Sequence, residues 1–214
     1  KRSRYGQPGL SDLLRRISYL WENGREKILE SSEQIISALQ KDDFTEPGEI
    51  DEALLHRGYR LLLQTFDSAW GGFGAAPKFP TPHNLLFLMR MHEAEKLPEA
   101  LYMAEVTLKA MAEGGIFDQI GGGFSRYSTD QRWLAPHFEK MLYDNALLLL
   151  AYLEAFQLTQ KAFYADVAKR TAGYILRELA SPEGGFYCGQ DADSDGVEGK
   201  YYVFTPDEII QVLG

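Results

Sequence analysis

Three stretches decide the reading of this chain: Gly71-Gly72-Phe73-Gly74, Gly121-Gly122-Gly123-Phe124 and Gly184-Gly185-Phe186-Tyr187. Each follows a helical pattern with a loop rich in glycine and aromatic residues. The loops recur after roughly 50 and then roughly 60 residues, about the length of a helical hairpin with one long loop. Hairpins repeated in this way present their loops on one side. The loops also carry the polar residues best suited to chemistry: Lys78, then Asp118 and Arg126, then Asp191 and Asp193.

The segments around the loops read as helices. Residues 10–40 place Leu10, Leu13, Leu14, Ile17, Leu20 and Trp21 at helical spacing, with Asn23-Gly24 as a break. Residues 1–9 read as a loop, and 42–48, with Pro47, as a polar linker and soft boundary. A helix over 49–66 has Leu54, Leu55, Leu61, Leu62 and Phe66 as its apolar side. Thr81-Pro82 predicts an N-cap followed by proline in the first turn, for a helix running to about Lys96. Pro98 starts the next helix, which stops at Gly114-Gly115. Loop 114–136 is long for a compact domain, and long loops are often functional. Phe124, Tyr127 and Trp133 suggest a short hairpin within 123–133, with helices at 137–159 and 161–180 beyond it. In loop 181–204, residues 186–188 and 200–204 read as strand-like pieces around an acidic turn. Thr205-Pro206-Asp207-Glu208 opens a last helix with a capping box.

Composition narrows the function classes. Hydrophobic residues make up 45% of the 214 and charged residues 25%, enough to bury a core. The net charge of −9, with no basic patch, argues against nucleic-acid binding. No apolar run approaches the length of a membrane span; the longest is Ala146 to Leu153. A single cysteine, Cys188, excludes a disulfide framework and a cysteine metal cluster, and fits a reducing, cytoplasmic setting.

Two segments stand out chemically. His137-Phe138-Glu139-Lys140-Met141-Leu142-Tyr143-Asp144-Asn145 is expected to open a helix, with His137, Met141 and Asp144 on one face and Glu139 and Tyr143 on a neighbouring one. These groups either form a site or simply complement the helix N-terminus, with Lys140 pairing to Asp144. Asp191-Ala192-Asp193-Ser194-Asp195-Gly196-Val197-Glu198 begins like a calcium loop, but its twelfth position is Tyr202 instead of glutamate, so no metal site is expected. Its aspartates either bond local backbone, or Asp191 or Asp193 acts as an acid or base in a cleft. Asp118, Arg126 and Trp133 together suit a sugar, offering polar partners for hydroxyls and a face for the ring, and equally suit a loop held by an ion pair. Lys78, between Pro77 and Pro80, either anchors substrate or caps a helix. Cys188 has no histidine near it in sequence, which argues against a nucleophile.

The stretches GGFGAAPKFPTPHNLLFL (71–88), GGIFDQIGGGFSRYSTDQRWLAPHFEKMLYDNALLL (114–149) and GGFYCGQDADSDGVEGKYYVF (184–204) closely resemble the thioredoxin-domain-containing family related to spermatogenesis-associated protein 20. The resemblance implies an all-α fold: part of a six-hairpin (α/α)6 toroid of the glycosidase-like kind, with short β-hairpins in its glycine-rich loops. It implies that residues 1–45 connect to a thioredoxin-like domain outside this sequence. Residues 46–214 would then form the N-terminal half of the toroid. On this view the expected function is carbohydrate binding or a glycosidase- or epimerase-like reaction, with a non-catalytic scaffold for the redox domain as the alternative. The expected catalytic group is Asp118, His137, Glu139, Asp144, Asp191 and Asp193, with Lys78, Arg126, Trp133 and Tyr143 on the substrate. No cofactor is expected. The expected partners are a small-molecule sugar, the remaining half of the toroid, the thioredoxin-like domain, and a second copy of the chain through its exposed apolar edges.

Overall fold

The computed structural model describes residues 8–40 and 51–214. The chain forms two compact units, Lys1–Asp51 and Glu52–Gly214. The expected loop at 1–9 and the linker at 42–48 lie largely or wholly outside the described residues. The first unit holds α1 (Leu10–Asn23) and α2 (Arg25–Gln40). They are separated at Gly24, whose N–H donates to the Leu20 carbonyl and closes the first helix. Neither helix has a buried residue, so Leu10, Leu14, Ile17 and Leu39 stand exposed.

The second unit is built from helical hairpins. α3 (Glu52–Thr65) leads to α4 (Pro82–Glu95) and α5 (Pro98–Glu113), and α6 (Leu142–Thr159) pairs with α7 (Ala162–Tyr174). A π-helical turn, Ile175–Leu179, extends α7. α4 packs against α5, α6 against α7, and α4 against α6, so two hairpins stand side by side in two layers. Leu148, Ala151, Tyr152 and Ala155 of α6 recur at helical spacing and are buried against Leu85, Leu88 and Met89 of α4 and Met103 and Leu108 of α5 in one core. The Tyr152 hydroxyl donates to the Leu108 carbonyl at 2.6 Å, so the ring is buried without an orphaned polar atom. α8 (Pro206–Leu213) carries both halves of its capping box, Thr205 with Glu208. Thr81 departs from expectation. It precedes α4 in a left-handed conformation (φ 41°) and makes no side-chain cap; Pro82 alone marks the start.

The glycine loops are one device used three times. Phe66-Asp67-Ser68-Ala69-Trp70-Gly71-Gly72-Phe73 and Phe117-Asp118-Gln119-Ile120-Gly121-Gly122-Gly123-Phe124 close with the same bonds. The flanking phenylalanines bridge in antiparallel fashion, and the aspartate carboxylate takes two amides of the turn: Ala69 and Trp70 in the first, Ile120 and Gly121 in the second. The last two glycines have φ of 69° and 81° in the first loop and 77° and 78° in the second, a region costly for any residue with a Cβ. A Cβ on Gly72 would lie 2.6 Å from Trp133 Cζ2. Ala180 to Phe186 repeats the clasp one residue shorter, with Ser181 in the aspartate's place.

The strands differ from the sequence reading. β1 (Tyr127–Ser128) pairs with β2 (Pro136–His137), so the expected hairpin exists but closes beyond Trp133. β3 (Lys140–Met141) pairs with β4 (Gly189–Gln190), and β5 (Asp193–Ser194) with β6 (Val197–Glu198). The pieces expected at 186–188 and 200–204 are not strands; the acidic run itself forms the hairpin. Residues 136–141 are therefore extended, and α6 starts at Leu142 instead of 137. Backbone pairing to the two neighbouring loops outweighs helix propensity there.

Candidate functional site

The extended segment sorts its side chains by twos. His137 and Glu139 fall on one side, and Phe138 and Lys140 on the other. This replaces the expected helical sharing of a face by His137, Met141 and Asp144.

On the first side, His137 Nδ1 lies 2.6 Å from Glu198 Oε1, and its Nε2 lies 3.9 Å from Glu139 Oε2. The ring stacks on Tyr127 at 5.0 Å, and Tyr127 in turn packs on Phe79. Arg126 Nη1 bonds Glu139 Oε2 at 2.9 Å, and the Glu139 and Tyr143 side chains raise the guanidinium's pKa further. Asp144, in the first turn of α6, is nearly sealed from solvent. Burial pushes its carboxyl up to about 6, while nearby Arg126 and Tyr143 pull it down and Glu139 pushes it up. Among the described residues, Asp144 Oδ2 and Arg126 Nε are buried without a hydrogen-bond partner. Asp193 is the direct cross-strand partner of Glu198, so both project to the same face of the hairpin.

On the second side, Lys140 is buried. Its Nζ donates to Asp118 Oδ2 at 2.8 Å and to the Gly122 carbonyl at 3.0 Å, and lies over the Tyr174 and Tyr202 rings at 4.5 and 4.9 Å. Lys140 thus pairs with Asp118, not Asp144. Burial lowers the Lys140 pKa, and the Asp118 bond opposes this. Burial also pushes Asp118 up, but the Lys140 bond and the Gly121 and Ile120 amides hold it below the usual carboxylate range.

The structure thus gathers Arg126, His137, Glu139, Tyr143, Asp144 and Asp193 around one patch, and moves the other expected site residues elsewhere. Lys78 is buried, with Nζ 2.6 Å from both Asp67 Oδ2 and the Gly71 carbonyl. Trp133 is fully buried under Gly72, its Nε1 donating to the Trp70 carbonyl. Both serve packing; neither is open to a ligand. Asp118 is committed to Lys140, and Asp191 faces solvent while its carboxylate takes the Asp193 amide. Glu198 joins this patch through His137, although the sequence gives little sign of it. Its distance from His137 in sequence hides the contact, and only its place in the acidic run hints at it. Among the described residues, no group of three or more His, Cys, Asp or Glu is placed to hold a metal ion, and no helix is long and apolar enough to cross a membrane.

Paired helical hairpins with glycine loops and short β-hairpins define an α/α toroid fold, and solved structures agree. Cellobiose 2-epimerase from Bacillus thermoamylovorans aligns with a TM-score of 0.56 at 16% identity, over 72% of this chain and 46% of that one. A family 76 glycoside hydrolase, an α-mannanase from Bacteroides thetaiotaomicron, aligns at 0.54 with 17% identity, over 69% and 43%. By sequence, the chain is homologous to part of spermatogenesis-associated protein 20. It is 42% identical to the Homo sapiens protein across 96% of this chain and 28% of that protein's length. An uncharacterized protein of Caenorhabditis elegans is 37% identical across 98% of this chain and 30% of its own length. The chain thus spans less than a third of the relatives it matches. No family model matches it.

Proposed function

We propose that the chain supplies part of the active site of a carbohydrate-active toroid, with His137 as acid and base in a proton transfer at a sugar carbon. The observation that carries this reading is the setting of His137, with Glu198 2.6 Å from Nδ1 and Nε2 turned toward Glu139. A carboxylate on Nδ1 holds the proton there and leaves Nε2 as the base. Arg126 lies beside it as a cation for oxyanion charge that develops when a proton leaves the carbon next to a carbonyl. Asp144, with its pKa at about 6, is a carboxyl that can carry a proton near neutral pH. Structural likeness to a sugar epimerase and a mannanase supports a sugar substrate by analogy of fold. Glycoside hydrolysis fits less well. It needs two working carboxyls roughly 5–9.5 Å apart, whereas Glu139 and Glu198 both attend one histidine.

In this reading residues 46–214 form the N-terminal half of the toroid. Residues 1–45 link it to a thioredoxin-like domain, and exposed apolar edges of the chain, such as that of α8, meet the other half or a second copy. The test is incubation with a panel of aldoses, ketoses and disaccharides in D2O, followed by mass spectrometry of the sugar. Deuterium at a carbon beside the carbonyl is expected, and His137→Asn lowers its rate by about 10²–10⁴-fold. No exchange with any sugar overturns the reading. A second reading, a non-catalytic scaffold for the redox domain, draws on the commitment of Asp118 to Lys140 and the solvent-facing Asp191. Absence of exchange, together with dithiol–disulfide turnover by the longer parent protein that His137→Asn leaves unchanged, would support it.

A further inference from the structure

The second side of the 136–141 segment opens on a pocket of about 640 Å³ that the His137 site does not use. Its floor is Lys140, Tyr174 and Tyr202, and its rim is Ile120, Tyr201 and Phe204. The charged groups that line it are already matched. Lys140 bonds Asp118, Arg177 bonds Glu178 at 2.6 Å, and Lys200 bonds Asp195 at 2.7 Å. No buried charge in the pocket is left unmatched for a charged ligand.

Lys140 is also not a reactive amine. Lys78 sits in the same Asp, glycine-carbonyl and aromatic-ring cage in the first loop. The pairing therefore belongs to the loop clasp.

What remains open is neutral and amphipathic. The Tyr174 and Tyr202 hydroxyls both reach Gln190 Oε1, at 3.1 and 3.4 Å, and the Gln190 amide N–H groups have no partner among the described residues. The half-buried Ser194 hydroxyl is likewise unbonded among them. Tyr202 is not a platform, because Phe138 stacks on it at 5.4 Å and 7° and Lys140 lies against it. Tyr201, edge-on to Tyr202 at 5.1 Å, and Phe204 keep their faces exposed.

We propose that this pocket is a second carbohydrate subsite, which takes a neutral sugar ring on Tyr201 or Phe204 and bonds its hydroxyls through Gln190 and Ser194. Exposed aromatic faces beside unspent neutral donors and acceptors suit a pyranose, with its apolar face and ring of hydroxyls. The proposal rests on the carbohydrate reading of the His137 site and extends it from one ring to an oligosaccharide. The segment 136–141 serves both sides.

The test is calorimetric titration of the protein and its Tyr201→Ala/Phe204→Ala variant with a monosaccharide and the matching oligosaccharides. Both side chains are exposed, so the variant keeps the fold, which circular dichroism checks. The variant is expected to lose about tenfold in oligosaccharide affinity while monosaccharide affinity stays within twofold. Equal oligosaccharide affinity in variant and parent overturns the subsite and leaves the His137 reading standing. A parent that binds no saccharide of any length overturns both. Hydroxyl-radical footprinting of the ligand-free protein adds an independent readout. Ready oxidation of Tyr201 supports an open pocket, and protection means that polypeptide fills it, which overturns the subsite.

Discussion

Lys140 Nζ lies 2.8 Å from Asp118 Oδ2 beneath the second glycine loop, with the Gly122 carbonyl and two tyrosine rings completing its cage. A buried cation so enclosed depends on its carboxylate, since removing one partner leaves an uncompensated charge. Asp118→Asn is expected to destabilise the fold by about 3–5 kcal/mol in urea denaturation. Replacing both partners, Asp118→Leu with Lys140→Met, is expected to cost much less than the sum of the single changes. Equal and additive losses would show that the pair is not coupled.

Asp67 carries the same burden in the first loop. Burial raises its carboxyl, but bonds from Lys78, Gln131 and the Trp70 and Ala69 amides bring it down to about 2. A carboxyl with a lower pKa folded than unfolded stabilises the fold above its unfolded value, and that stability fades as pH falls through the folded value. About 2 kcal/mol is expected to disappear between about pH 4 and pH 2. Calorimetric melting across that range checks it: Asp67→Asn should flatten this part of the profile.

Asp144 has the opposite sign. Its pKa of about 6 means that the folded chain holds this proton more tightly than the unfolded chain does. Stability from this group is full at low pH and falls as pH rises from about 4 to 6. Asp144→Asn is therefore expected to stabilise the fold by about 2 kcal/mol at pH 7 relative to its effect at pH 4. A difference of zero between the two pH values would place Asp144 in a solvated setting.

Gly72 and Gly74 separate backbone strain from crowding. Both have positive φ, 81° and 77°, but a Cβ on Gly72 meets Trp133 at 2.6 Å whereas one on Gly74 meets nothing within 4 Å. Gly74→Ala is expected to cost about 1 kcal/mol. Gly72→Ala should cost about 2–4 kcal/mol, because Trp133 is fully buried and has nowhere to move. Equal melting temperatures for the two variants would refute the packing role assigned to Trp133.

Much of the fold is legible in local sequence. Gly24, Pro82, Pro98, Gly114 and the Thr205–Glu208 box mark helix ends close to where the structure has them, because caps and breakers act within a few residues. The segment 136–141 misleads for the same reason. His137 to Asn145 has helical character, but His137, Lys140 and Met141 pair with Tyr127, Gln190 and Gly189, which no local window contains. The site suffered accordingly. Arg126, Glu139 and His137 were recognisable as polar residues near a long loop. Glu198, whose carboxylate meets His137 Nδ1, lies 61 positions away.

By itself the sequence determined the helices, most of their ends and the three glycine-rich loops, since each depends on neighbours a few residues apart. The tertiary structure alone decided which side chains meet. It sealed Lys78 and Trp133 into packing, bound Asp118 to Lys140, and set His137 between Glu139 and Glu198. Those outcomes rest on strand pairing and burial between distant segments, where side-chain direction alternates by twos and a shift of one residue would exchange the two faces.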